Sequence, residues 1–243
     1  MPFNFSLWEK EYRERIFRHH EAKDKFTEIY RLNAWGNEES LSGDGSTLQY
    51  TANLRRELPV LFKEFDIKSV FDGPCGDFNW MKEVVKDQDI DYIGGDIVQH
   101  VIDENAARYQ TDRIRFVAID MTSQDLPRAD LMICRDCLFH LSDENIKGVL
   151  TNFVKSGTPY LLTTNHLNRS GFRNRNIVTG SFRLVDLFSA PYNFPDPPLF
   201  RISDWMPPFE EREMCLWTRN QVAAVLDCRE NFSSAPPDPT IPL

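Results

Sequence analysis

No stretch of this chain approaches the roughly 18 consecutive apolar residues that a membrane-crossing helix needs. The opening MPFNFSLWEKEYRER also has no uninterrupted apolar segment of the secretory kind, so a cytoplasmic protein is the expectation. Cysteines are few, odd in number and scattered: Cys75, Cys134, Cys137, Cys215 and Cys228. A chain of 243 residues buries a core without staples, and these five read as reduced thiols. Positive charge is in deficit, with 28 Lys and Arg against 37 Asp and Glu and a net charge of −9. Such a surface repels duplex nucleic acid and anionic membrane at long range, although a local basic patch is allowed. Internal repeats are missing too. Hydrophobic residues at 41% and charged residues at 27% exclude a wholly disordered or fibrous chain, and the length suits one domain or a domain with an appendage.

Four stretches follow from composition. Residues 1–65 read as a helical cap, with amphipathic helices expected over Phe17–Leu32 and Thr47–Phe65. The loop-like WGNEESLSGDGS lies between them, and Ser46 is the expected N-cap of the second helix. Residues 66–166 alternate short apolar runs with helical segments, the pattern of a parallel sheet covered by helices. Strands are expected at 67–72, 91–96, 114–120, 130–136 and 159–165, with helices near 78–86, 98–109 and 143–155. Residues 167–230 hold an Arg-, Asn-, Phe- and Pro-rich stretch to about 212, without a clear period, then a last strand (213–217) and a short helix (219–226). Ten of the fifteen prolines lie at or after Pro191. So many aromatics argue for a packed lid or wall, while 231–243 reads as a flexible tail.

Four of the five expected strands end in Asp: Asp72, Asp96, Asp120 and Asp136. Each alone reads equally well as a cap or turn residue. Together they form one polar rim outside the carboxyl ends of the strands, where doubly wound sheets bind ligands. Asp72 opens D-G-P-C-G-D before a helix, and Gly73 and Gly76 permit a tight turn whose N–H groups attract an anion. Asp96 follows at the end of the next strand, where an acid accepts both hydroxyl protons of a ribose. A nucleoside-containing cofactor is indicated, but the G-x-G-x-x-G of nicotinamide-binding units is missing.

The turn instead resembles motif I of class I S-adenosylmethionine (SAM)-dependent methyltransferases in a D-x-P-C-G variant, with Pro74 in place of the first glycine and Phe78 where the third is expected. YIGGDIVQHVI and IRFVAIDMTSQDLPRADLMICRD resemble the following motifs. SLSGDGSTLQYT and FDGPCGDFNWM are similar to a bacterial, glycan-cluster-associated subfamily, over roughly residues 35–200. The resemblance implies an α/β, Rossmann-like, doubly wound and mostly parallel seven-stranded sheet with helices on both faces. It also implies SAM as cofactor and S-adenosylhomocysteine (SAH) as product. Asp72, Gly73, Pro74, Cys75, Gly76 and Asp77 would line the methionine end, Asp96 would hold the ribose, and Ile97 with Asp120 and Met121 would bound the adenine. Trp80 would wall the site, and Arg55 is available for the SAM carboxylate.

Cys134, Cys137 and His140 spell C-x-x-C-x-x-H, but no second pair completes four ligands and no metal is expected. Asp136, His140 and His166 are the candidate catalytic groups: a histidine titrates near neutrality and suits proton removal from a hydroxyl, and Asp136 would act as base or orient the acceptor. Both histidines also read as ordinary helix-flanking or loop residues. Arg135 with Arg169, Arg173 and Arg175 of HLNRSGFRNRN would suit a hydroxyl-rich, carboxylated or phosphorylated acceptor, against the alternative of a solvated loop. The expected activity is O-methylation of a sugar hydroxyl on a glycan or nucleotide sugar. A protein side-chain methyltransferase and a non-catalytic SAM-binding subunit are the alternatives.

Overall fold

A computed structural model describes residues 12–228 together with Phe232 and Pro236. The first eleven residues, and most of the tail expected at 231–243, lie outside the described residues. Seven strands form one sheet: β1 (Ser69–Asp72), β2 (Asp91–Asp96), β3 (Ile114–Ala118), β4 (Leu131–Cys134), β5 (Tyr160–His166), β6 (Phe200–Ser203) and β7 (Arg212–Thr218). Their order is β3-β2-β1-β4-β5-β7-β6, parallel through β5, with β7 antiparallel to both β5 and β6. The order reverses between β1 and β4, the switch point at which such sheets open a crevice at their carboxyl ends.

Side chains alternate along each strand, so a sheet covered on both faces needs apolar residues at consecutive positions. Leu131-Met132-Ile133-Cys134 meets that need: Leu131 and Ile133 join one core, Met132 and Cys134 the other. Helices α2 (Ala52–Glu64) and α3 (Met81–Val85) cover the first face through Leu54, Leu58, Leu61 and Val84. Helices α5 (Asp143–Ser156) and α6 (Arg219–Asp227) cover the second through Ile146, Phe153 and Val222. Caps are written into these helices. Ser142 accepts the Asn145 N–H, Gly157 closes α5 at φ +76°, and Thr218 with Gln221 forms a capping box. Among the described residues no helix is long and apolar enough to cross a membrane.

The N-terminal region departs from expectation at two points. Residues 12–17 are helical, the chain turns at 18–21, and α1 (Ala22–Arg31) follows, where one continuous helix was expected. The break lets Ile16, Ile29 and Ala34 share one apolar cluster, a packing gain that outweighs local propensity. Ser46 lies in a 3-10 turn (Asp44–Ser46) and does not cap α2. That helix starts at Thr51, whose hydroxyl donates back to the Thr47 carbonyl at 2.8 Å. Helix α4 (Gln99–Tyr109) completes the set, with Val98 and Val101 packed near Tyr30 of α1.

A crevice at the strand ends

The turn after β1 is held from both sides. Asp96, at the end of β2, accepts the Gly76 N–H (3.2 Å) and the Val98 N–H (3.0 Å) on different oxygens, which fixes its carboxylate against the turn. Gly76 has φ +55°, and a Cβ there would stand 2.2 Å from the Ser42 hydroxyl, so only glycine fits. Asp77 takes the Leu41 N–H (2.8 Å) and the Ser40 and Ser42 hydroxyls (3.0 and 3.2 Å), tying the 40–42 loop to the turn. Asp72 accepts from the Tyr92 hydroxyl at 2.7 Å. Burial pushes Asp72 up to about 7, against the pull of Tyr92 and Arg135, and raises Asp96 to about 6.

Above this rim lies a cavity of about 630 Å³, inside the roughly 300–1,000 Å³ range usual for small-molecule sites. Its floor includes Asp72, Pro74, Cys75, Gly76, Trp80, Asp96, Ile97, Asp120 and Met121. Its roof is the cap, through Tyr30, Trp35 and Ser42–Ser46, and a side wall is made by Gly180, Ser181 and Phe182. Lys25, 5% exposed on α1, donates to the Thr179 carbonyl at 3.0 Å and joins roof to wall.

A buried network of two arginines and two carboxylates forms one end of the cavity. Arg135 donates through Nε and Nη2 to the two oxygens of Asp204 (2.8 and 3.0 Å), and through Nη2 to the Gly45 carbonyl (2.7 Å). Asp136, at φ +51°, receives Arg212 Nη2 at 2.8 Å, has Arg135 Nη1 at 3.3 Å, and donates its backbone N–H to the Thr164 hydroxyl. A non-glycine residue in that conformation is uncommon and tends to mark functional turns. Burial alone would raise the Asp136 pKa, but the two guanidiniums outweigh it and hold the carboxyl below the usual range. Tyr50 sits under both arginines, 5.8 Å from Arg135 and 4.7 Å from Arg212.

The two histidines differ. His140 lines the cavity, half-buried, with Nδ1 2.9 Å from the Ser181 carbonyl. A carbonyl only accepts, so the proton is on Nδ1, and burial lowers the ring's pKa, which leaves Nε2 as a free lone pair at neutral pH. His166 is 2% exposed, is not a lining residue, and accepts the Val185 N–H on Nδ1 at 3.2 Å. Burial and then Arg212 depress its pKa to about 4.

No family model matches this chain, and no curated protein matches its sequence. Its structure is similar to 1,6-didemethyltoxoflavin-N1-methyltransferase of Burkholderia thailandensis, with bound SAH (TM-score 0.60, 15% identity, 85% of this chain and 88% of that one covered). It is similar to magnesium protoporphyrin IX methyltransferase of Synechocystis PCC 6803, with bound SAM (0.56, 11%, 83% and 98%). Human N-acetylserotonin methyltransferase in complex with SAM is a third (0.53, 14%, 86% and 59%). The fold is that of the SAM-dependent methyltransferases.

Within this methyltransferase fold, the expected residues separate into two groups. Asp72, Pro74, Cys75, Gly76, Trp80, Asp96, Ile97, Asp120, Met121, Arg135, Asp136 and His140 all line the one cavity. Gly73, Asp77, Arg55 and His166 are not among its lining residues. Gly73 packs behind the turn, where a Cβ would meet Met121 Sδ at 2.4 Å, and Arg55 donates to the Leu48 carbonyl at 2.8 Å. Asp120 faces the cavity with its carboxylate engaged by the Thr122 N–H and hydroxyl and by the Ser123 hydroxyl. Arg169, Arg173 and Arg175 are exposed and off the cavity, Arg169 being paired with Glu211. Sequence reasoning missed Arg212, Asp204, Tyr50 and Ser181. Tyr50 stands in the SLSGDGSTLQYT phrase, whose resemblance assigned it no role; the other three stand in no motif, and Arg212 and Asp204 reach the site only through strand direction.

Proposed function

We propose that the protein is a SAM-dependent methyltransferase acting on a hydroxyl of a compact acceptor held between the rim and the cap. The observation that carries this is the fixed Asp96 carboxylate. Its two oxygens accept one backbone N–H each, which leaves lone pairs for the two hydroxyls of a ribose. The neighbouring groups suit the rest of the cofactor. Ile97, Ile119, Met121 and Leu141 give apolar walls for a planar base, and Asp72 offers negative charge for a cation. When bound, SAM would supply an electrophilic methyl group on a cationic sulfur that would keep the carbon–sulfur electron pair, leaving to the chain's own residues the alignment of the acceptor hydroxyl and the removal of its proton.

His140 is the base. It lines the cavity and is neutral at pH 7, with the lone pair on Nε2. Asp136 is too strong an acid for the task and stays ionised. Clamped by Arg135 and Arg212, it orients the acceptor. His166 acts by packing edge-on against Phe139, whose ring lies behind His140. The sugar acceptor expected from sequence drew on the glycan-cluster resemblance and on Arg169, Arg173 and Arg175; these three are exposed and off the cavity, which leaves the resemblance alone in its support.

Transfer of labelled methyl from SAM tests the proposal. His140→Ala is expected to lower kcat by about 10²–10⁴-fold without changing SAM affinity. Unchanged turnover would exclude His140 as base, and binding of SAM without turnover of any acceptor would leave a cofactor-binding subunit instead.

A further inference from the structure

The two ends of the cavity differ in chemistry. The rim end carries the acids. The end between residues 12–17, α1 and the 180–182 wall is apolar, with Ile16, Phe17, Phe26, Ile29 and Phe182 lining it. There the rings of Trp35, His140 and Phe182 run side by side, 6.3 Å between the first two centroids and 5.9 Å between the second two. Phe139 backs them, 4.5 Å from His140 and 5.4 Å from Phe182. This surface is not fully covered by the protein itself: Phe182 is 46% exposed and Trp35 half-buried. In the same place Ser181 is 6% exposed and its hydroxyl oxygen is buried with no hydrogen-bond partner, although its carbonyl takes the His140 Nδ1–H. That oxygen is closed to the cavity, so the wall presents no free hydroxyl to a ligand there.

We infer that the acceptor is a planar aromatic hydroxyl compound, its ring laid along Trp35, His140 and Phe182 and its reacting hydroxyl at His140 Nε2. The inference rests on the methyltransferase reading above and deepens it. Burying a glycan means pairing a hydroxyl on nearly every ring carbon, because each unpaired one is penalised. Residues 12–17, α1 and the 180–182 wall supply few polar side chains to the cavity: Arg13 and Tyr30. An aromatic ring buries both faces without that demand and gains by offset or edge-on packing against other rings. Proton transfer agrees. A phenolic hydroxyl ionises near 10, far closer to an imidazole than an aliphatic alcohol is, so a base whose basicity burial has lowered is better matched to it.

The test uses the full chain, first for SAH binding and then, loaded with SAH, for acceptor binding by saturation-transfer NMR. The probes are 4-hydroxybenzoate, caffeate, 7-hydroxycoumarin and 1-naphthol against UDP-glucose, GDP-mannose and methyl α-mannoside, and the same panel is offered for methyl transfer from SAM. At least one aromatic hydroxyl is expected to bind and to be methylated with kcat/KM about 100-fold or more above every sugar. Phe182→Ala, at an exposed position, should raise the acceptor Kd about tenfold with the SAH Kd unchanged. A sugar or nucleotide sugar as the better acceptor, or no aromatic hydroxyl bound by a protein that does bind SAH, overturns the inference while the methyltransferase reading stands. Failure to bind SAH removes that reading itself.

Discussion

A carboxylate buried at a strand end persists only where something answers its charge, and the four rim acids are answered in four ways. Asp72 has the Tyr92 hydroxyl, Asp96 two backbone N–H groups, Asp120 its own turn, and Asp136 two guanidiniums. Burial raises the pKa to about 7 at Asp72 and about 6 at Asp96, because there it is offset by hydrogen bonds more than by opposite charge. Both folded-state values lie above the ordinary carboxyl range, so each acid is protonated at pH 5 and loses its proton as the pH rises through 6 and 7. A cation with a ribose needs the ionised forms. SAM affinity measured by calorimetry should therefore strengthen from pH 5.5 to pH 8, with proton release on binding near pH 7, and a flat profile would contradict the role given to these acids. His140 has the opposite shift. Its folded pKa is lowered by burial, so the neutral, base-competent form persists at pH 7 and is lost only at pH values below the ordinary imidazole range. With acceptor and SAM saturating, kcat should show a single acid limb with an apparent pKa below that range that His140→Ala abolishes.

At the scale of elements, one antiparallel strand completes the site. Residue pairing of β7 with β5 sets Arg212 opposite His166, at the carboxyl end of the parallel strands, and pairing with β6 sets Ser203 opposite Glu213, so Asp204 follows at the same rim. The cap loop then closes on this pair. A Cβ on Gly45 would stand 2.9 Å from both Arg212 Nη2 and Asp136 Oδ2. Gly45→Ala is expected to push the 43–46 loop off the ion pair and weaken SAH binding by roughly tenfold, about 1.4 kcal/mol, with little loss of fold stability; calorimetry beside a denaturation curve separates the two. The parallel strands were legible because doubly covered strands read as short apolar runs, and the acids located the rim, although only Asp72 and Asp96 end their strands; β3 and β4 stop at Ala118 and Cys134, two residues short of Asp120 and Asp136. β6 was not. It has four residues at an edge, with only Ile202 buried, too little pattern to mark it. Arg212 and Asp204 were hidden for a related reason: the apolar run in Glu213–Trp217 reveals a strand but not its direction, and direction decides which end of it meets the site.

For the molecule as a whole, the excess of negative charge is partly a property of its crevice, since four acids stand on one rim. The site also binds the halves of the fold together. Asp204, with a side chain 0% exposed, anchors Arg135 from across the sheet, and Arg135 in turn holds the cap at Gly45. Removing one partner of such a buried pair leaves a charge uncompensated, so Asp204→Ala should destabilise the protein by about 3–5 kcal/mol in chemical denaturation, and a change below 1 kcal/mol would show the network to be solvated in solution. Every role given to the crevice depends on cofactor binding. Titration calorimetry of SAM and SAH into the intact protein and into Asp96→Ala tests that dependence directly. Binding of both ligands by the intact protein with one site per chain, and loss of at least a hundredfold in affinity in Asp96→Ala, is the predicted result; no binding to the intact protein, or equal binding to the variant, would contradict it.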